Sequence, residues 1–267
     1  MHALLARLVL LTLLFTPCWA DAWAHTTSAP KKPSLTILIA EERLSHGKLL
    51  PTSEYLLKLF AYLERESGVQ ILQKRVPWNR AMMMAVNGDG VIFGVSKTPE
   101  RMEKLRYSVP LMEEYVWAVY SVEDKSKIES VDDLSRFTVV IPYGVTYGLE
   151  FEKAKKEKFK HMVSYDNFSE QLRSLSKKPN LVLLFGLRDF KEGKDVVAFF
   201  HEKMLPKYAA PGTEHLSFRL STQALFIDTL HFATAKNKHI AEMEKIDEAI
   251  RKGLKSGEIT KILQLRK

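Results

Sequence analysis

Three observations place this chain in the α/β class. From Ser34 to Phe93, short apolar and β-branched runs alternate with helical periods in the order β-α-β-α-β, the pattern of a mostly parallel sheet flanked by helices. Two loops, one leading to Thr98 and one at Tyr143-Gly144-Val145-Thr146-Tyr147-Gly148, each follow a strand and open a helix. The chain of 267 residues, 46% hydrophobic and 27% charged, has the composition of an ordinary globular protein and is long enough for two compact lobes or one large domain.

Residues 1–24 read as a secretory signal peptide rather than as fold. Arg7 makes a positive n-region, residues 8–15 an apolar h-region, and Ala20-Asp21-Ala22 and Ala22-Trp23-Ala24 both fit a cleavage site. The apolar run is shorter than the roughly 18 residues of a membrane span. Cys18 is the only cysteine. Cleavage would leave no thiol, so disulfides and thiolate chemistry are excluded for the exported chain. Residues 25–33 are a polar linker.

Leu35, Ile37 and Ile39 alternate with smaller residues as a first strand, and Glu41-Glu42 lie in the loop after it. Pro51-Thr52-Ser53 opens a helix whose Leu56, Leu59, Phe60 and Leu63 share one face, with Gly68 as its stop. Residues 69–76 form a second strand, and residues 77–86 a short helix ended by Asn87-Gly88, with Met82-Met83-Met84 as core filling. Val91-Ile92-Phe93 is the third strand.

Thr98 then reads as an N-cap and Pro99 as the first helical residue, which puts Arg101 in the first helical turn. A cation there opposes the macrodipole by about 0.3–1 kcal/mol. Either Arg101 and the free N–H groups converge on a small anion, or Glu100 or Glu103 neutralises it on the surface.

The pattern Pro77-Trp78-Asn79-Arg80-Ala81, then Asn87-Gly88-Asp89, a strand, Thr98-Pro99-Glu100-Arg101 and Tyr107-Ser108-Val109-Pro110 resembles the family 3 periplasmic solute-binding proteins. These are receptors of ABC-type importers for polar amino acids and similar solutes. The resemblance runs from about Ser34 to the C-terminus. It implies a two-lobed periplasmic binding protein fold, each lobe a mostly parallel sheet flanked by helices, joined by two hinge crossovers. It also implies that Arg101 clamps a ligand carboxylate, that the loop from Gly94 to Ser96 supplies further hydrogen bonds, and that Thr146 faces them across the cleft. For Trp78, lobe packing and ligand contact both stay open.

The apolar strand at residues 115–120 is followed by a polar stretch at 121–130, where the first crossover is expected. The lobes are then residues 34–120, 121–225 and the return 226–267. Ser130 and Asp133 match a capping box, residues 138–141 a strand, and the basic run at 153–160 a solvated helix. A helix around residues 169–175 and the strand Leu181-Val182-Leu183-Leu184-Phe185 follow. Residues 191–223 carry little signal beyond core aromatics and a Pro211-Gly212 turn, and the chain closes on a helix bearing Ile240, Met243, Ile246 and Ile250.

Amino-acid binders of the family carry an aspartate just after the 181–185 strand, where this chain has Phe185-Gly186. The resemblance therefore implies either a carboxylate ligand with an apolar or aromatic body, or an amino acid whose amino group is met by Glu41 or Glu42. Other chemistries find no pattern: no metal-ligand histidine spacing, no phosphate-binding glycine loop, no cofactor, and a threonine where a nucleophile elbow needs serine. The net charge of +8 suits an anionic partner, and export argues against nucleic acid. The expectation is a monomeric periplasmic receptor that takes a small solute and presents it to an ABC permease. The rivals are an enzyme of the cyclohexadienyl dehydratase type, with Glu41 or Glu42 as acid or base, and a free sensor or adaptor.

Overall fold

The computed structural model describes residues 32–44, 47–123, 125–165, 168–178, 180–188, 190–208 and 217–265. The signal peptide, the linker up to residue 31 and the Pro211-Gly212 turn lie outside the described residues.

The first lobe opens with β1 (Ser34–Ala40), α1 (Glu54–Ser67), β2 (Gln70–Val76), α2 (Trp78–Asn87) and β3 (Val91–Val95). β1 lies between β2 and β3, parallel to both, so the alternating apolar pattern does produce a parallel sheet. Gly68 and Gly88 end the two helices with φ of 68° and 81°, the left-handed conformation that an L side chain resists. α3 (Pro99–Lys104) starts at Thr98, whose hydroxyl accepts the Arg101 N–H at 3.1 Å. It is only six residues long and runs straight into β4 (Leu105–Tyr107), which the sequence pattern does not announce.

The second lobe contains β6 (Thr138–Pro142), α4 (Gly148–Glu157), β7 (His161–Tyr165), α5 (Phe168–Lys177) and β8 (Leu181–Arg188). β6 lies parallel to β7 and β8, and the Ser130 N–H donates to Asp133 Oδ2 at 3.0 Å, as a capping box requires. α6 (Gly193–Phe199), a π-helical turn at Phe200–Met204, α7 (Leu205–Tyr208) and β9 (Phe218–Leu220) occupy the stretch that the sequence leaves blank. The basic run at 153–160 is helical only to residue 157.

Two long strands join the lobes: β5 (Met112–Ser121) and β10 (Phe226–Ala235), antiparallel over residues 112–116 and 226–230. β10 continues along β3 and β4 of the first lobe, and β5 along β8 of the second. The expected crossover lay after residue 120, but the side chains of Tyr115 to Tyr120 already pack into the second lobe. Val116, Ala118 and Tyr120 point to one side and Tyr115, Trp117 and Val119 to the other. A strand buried on both faces reads as one continuous apolar run, which hides the point where it changes lobe.

The first lobe buries Leu59, Leu63, Phe93 and Phe232 against α8 (Ile240–Ser256) and α9 (Glu258–Gln264), whose Ile246, Ile250 and Leu263 face inward. On the opposite side of the sheet, α2 packs Ala81 and Ala85 on Leu38 and Ile92. Met82 and Met84 join that core, whereas Met83 is 59% exposed. The helical period allows only two of three consecutive residues to face the sheet.

Candidate functional site

β1 and β3 end at one rim of a cleft of about 640 Å³ that both lobes line. A cleft at the carboxyl ends of parallel strands is where an α/β sheet leaves backbone groups available to a ligand. Glu41, Glu42, Trp78, Gly94, Ser96 and Thr146 all border it. Arg101 does not. Its side chain borders an adjoining cavity of about 750 Å³, next to Gly144, Thr146 and Glu152.

Hydrogen bonds across the lobes surround the cleft. Trp78 Nε1 donates to the Gly144 carbonyl at 2.9 Å, and Arg101 Nη2 donates to the same oxygen at 3.1 Å. Arg101 Nη1 donates to Ser96 O at 3.3 Å, and the guanidinium lies 5.9 Å from the centre of the Trp78 ring. Ser96 Oγ donates to Thr146 O at 3.1 Å, and the Thr146 hydroxyl to Glu152 Oε1 at 2.7 Å. Burial lowers the Arg101 pKa, with Tyr107 and Glu152 opposing the shift. Glu100 pairs with Lys104 at 3.1 Å, and the Arg101 guanidinium donates to the Ser96 and Gly144 carbonyls rather than to Glu100 or Glu103.

The two loop glutamates already hold partners. Glu41 takes the Arg43 guanidinium at 2.6 and 3.1 Å. Glu42 takes Lys207 Nζ at 3.1 Å and the Tyr208 hydroxyl. Burial raises the Glu42 pKa, but Tyr208 and Lys207 outweigh it and leave the group below the ordinary glutamate value.

Three charged residues that the sequence reading passed over form a row across adjacent strands. Arg188 of β8 is in register with Glu114 of β5, and Glu114 with Asp228 of β10. Arg188 and Glu114 border the cleft. Arg188 Nε lies 3.5 Å from Glu114 Oε1, and its Nη1 donates to the Tyr55 hydroxyl at 3.2 Å. Burial pulls the Arg188 pKa down, but Tyr55 and Glu114 more than offset it.

Asp228 is 8% exposed and lies against Gly148, the first residue of α4. Burial pushes its pKa up to about 6; Ser96 and the Thr229 N–H oppose the shift, Glu114 adds to it and Arg101 opposes it. Because Ser96 Oγ is directed to Thr146 O, Asp228 Oδ2 has no hydrogen-bond partner among the described residues. The signal for this row was present: a lone Asp inside Phe226-Ile227-Asp228-Thr229-Leu230, an Arg ending an apolar strand, and a Glu opening one.

Among the described residues, no cluster of His, Cys, Asp and Glu is arranged to hold a metal ion, and no helix is long and apolar enough to cross a membrane.

No protein-family model matches the chain. No curated protein matches it either. Solved structures do share its fold. An ancestral arginine-binding protein bound to arginine superposes with a TM-score of 0.63 at 20% identity, covering 87% of this chain and 97% of that one. The amino acid ABC transporter substrate-binding protein AbpA from Streptococcus pneumoniae, bound to L-arginine, gives 0.62 at 18% identity, covering 86% and 93%. The ancestral amino acid-binding protein AncCDT-1, a precursor of cyclohexadienyl dehydratase, gives 0.60 at 16% identity, covering 86% and 94%. At these identities the likeness establishes the two-lobed α/β fold.

Proposed function

We propose, from that shared fold, that this chain is a periplasmic substrate-binding protein that captures a small carboxylate-bearing solute, an amino acid or a relative of one, for an ABC-type importer. The observation that carries this reading is convergence. The loops at Gly94–Ser96 and Val145–Thr146, from different lobes and more than forty residues apart in sequence, border one cleft of about 640 Å³. That volume lies within the range of small-molecule sites. Closure of the lobes over the solute removes it from water, and the closed form is what a membrane permease would read.

In this reading Arg101 and Trp78 hold the lobes together through Gly144, while Ser96 and Thr146 carry the polar rim. Trp78, Phe93, Phe168 and Phe185 offer walls for an apolar or aromatic body. Arg75, Arg188 and Lys207 border the same cleft as cations for a ligand carboxylate, and Lys207 is already paired with Glu42. Binding is favoured over catalysis because Glu41 and Glu42, the acid or base of the enzymatic rival, are held by Arg43, Lys207 and Tyr208. The functional unit is a monomer.

A thermal-shift panel of amino acids and simple carboxylic acids tests this. A solute at 100 times its dissociation constant should add about 2.7 kcal/mol of stability. If no carboxylate in the panel raises the melting temperature of the protein, the reading is wrong.

A further inference from the structure

We infer that Glu114 and Asp228, carried on the two strands that join the lobes, form a subsite for a cationic group of the solute, an ammonium or a guanidinium. This rests on the solute-binding reading and adds the chemistry of one end of the ligand.

Glu114 reaches the cleft because of a vacancy on the neighbouring strand. A Cβ on Gly186 would stand 2.3 Å from Glu114 Cδ and 2.7 Å from its Oε1, so the carboxylate fills the space that a side chain at position 186 would take. Its side chain is 12% exposed, and its nearest cation is Arg188 at a long 3.5 Å. Asp228 stands directly opposite Glu114 in the strand register. Its Oδ1 accepts the Thr229 N–H at 2.8 Å, and its Oδ2 has no hydrogen bond among the described residues.

Two carboxylates in cross-strand register repel each other, and a buried carboxylate oxygen without a donor lacks what such oxygens ordinarily have. The cations nearby do not fill that need. Arg188 is shared between Glu114 and Tyr55, and Arg101 directs Nη1 and Nη2 to the carbonyls of Ser96 and Gly144. Glu41, Glu42 and Glu54, the other acids on the cleft, are engaged by Arg43, Lys207 and Lys58. A cation entering the cleft therefore meets Glu114 first. Asp228, which adjoins the cleft residue Ser96, adds a second negative charge. The solute this describes is a zwitterion, with its carboxylate at one end of the cleft and its cation at the two joining strands.

The experiment compares L-glutamine and L-phenylalanine with their counterparts lacking the α-amino group, and L-arginine with pentanoate, which lacks both of its cationic groups, and adds agmatine and putrescine as cations without a carboxylate. Calorimetry and melting curves are recorded at pH 7.5 on the wild type, Glu114→Gln and Asp228→Asn. At least one cationic or zwitterionic probe should bind the wild type at least about tenfold tighter than its cation-free counterpart, and both amide variants should lose that discrimination. Without solute, Asp228→Asn should melt above the wild type, because a like-charge pair is relieved. If Glu114→Gln does not fold, Glu114→Asp replaces it, with the cation preference expected to persist.

Equal binding of cationic and cation-free members of a pair, or full discrimination in both amide variants, overturns the subsite and leaves the solute-binding reading standing. If no probe of either kind binds the wild type, the solute-binding reading fails and the subsite with it.

Discussion

The Asp228 carboxylate lies against Gly148 at the start of α4, where a methyl group on that glycine would stand 2.3 Å from Oδ1. An acid from a strand that joins the lobes thus meets the helix that opens the second lobe's share of the cleft. The contact brings a buried, partly unpartnered charge to the place where the lobes meet.

Stability should therefore contain a component that weakens as pH rises. The Asp228 pKa is raised from 3.8 to about 6, so the folded state holds its proton more tightly than the unfolded chain. The stabilisation is complete below pH 3.8 and is lost between there and about 6. A shift of that size corresponds to about 3 kcal/mol. Glu114 raises the value further; Ser96, Thr229 and Arg101 lower it, and Tyr107 is a further titratable neighbour. Carboxylates such as Glu42, Glu113 and Asp133, with lowered pKa values, contribute in the opposite direction. The difference between wild type and Asp228→Asn in urea titrations at pH 4, 5, 6 and 7.5 isolates the component, and a difference independent of pH would contradict it.

Gly186→Ala should displace the Glu114 carboxylate. The new methyl overlaps Cδ, Cγ and Oε1 of Glu114, and relief requires a new rotamer within the packed strand pair. The expected cost is about 1–3 kcal/mol. Chemical denaturation reads it directly. Introducing Glu114→Ala together with Gly186→Ala should recover part of the loss, and strict additivity would show that the two positions do not meet.

Trp78 and Arg101 should act through their shared acceptor. Trp78→Phe keeps an aromatic ring but removes one donor to Gly144 O, at a cost of about 1 kcal/mol in the closed form. Arg101→Ala removes donors to both Gly144 and Ser96 and should weaken solute affinity by about 1.5–3 kcal/mol through the lost Gly144 bond that spans the lobes. Arg101→Lys should restore only part, because an ammonium cannot span two carbonyls as the guanidinium fork does. Calorimetric affinities unchanged in Arg101→Ala would remove this residue from both closure and binding.

Trp117 offers a test of the second core. It is fully buried on β5, and its indole N–H has no hydrogen-bond partner among the described residues. Trp117→Ala should destabilise by about 3–5 kcal/mol through the cavity it leaves. Trp117→Phe should cost much less, since the smaller ring loses volume but also removes an unsatisfied donor. Near-equal costs for the two substitutions would mean that the N–H is satisfied after all.

The sequence by itself determined the local elements whose chemistry is local. Thr98-Pro99 start a helix because a hydroxyl cap and a fixed φ act within one turn, and Gly68 and Gly88 end helices because they adopt a positive φ that other residues resist. The alternation of apolar runs determined the parallel sheet of the first lobe, whereas the meeting of Gly94, Ser96 and Thr146 at one cleft was implied only by the resemblance of the surrounding motifs to a known family. Glu41 and Glu42 were legible as loop residues after the first strand, and for Trp78 the sequence left packing and ligand contact open; all three border the cleft. Only the tertiary structure decided what those residues touch. That Arg101 turns to carbonyls of both lobes depends on the position of Gly144, 43 residues away, which no local preference encodes. That Glu114 fills the space over Gly186, and that Asp228 opposes Glu114, depends on the register of strands far apart in the chain. Register arises from the packing of whole faces, and a charge buried by it carries no more local mark than a polar letter in an apolar run.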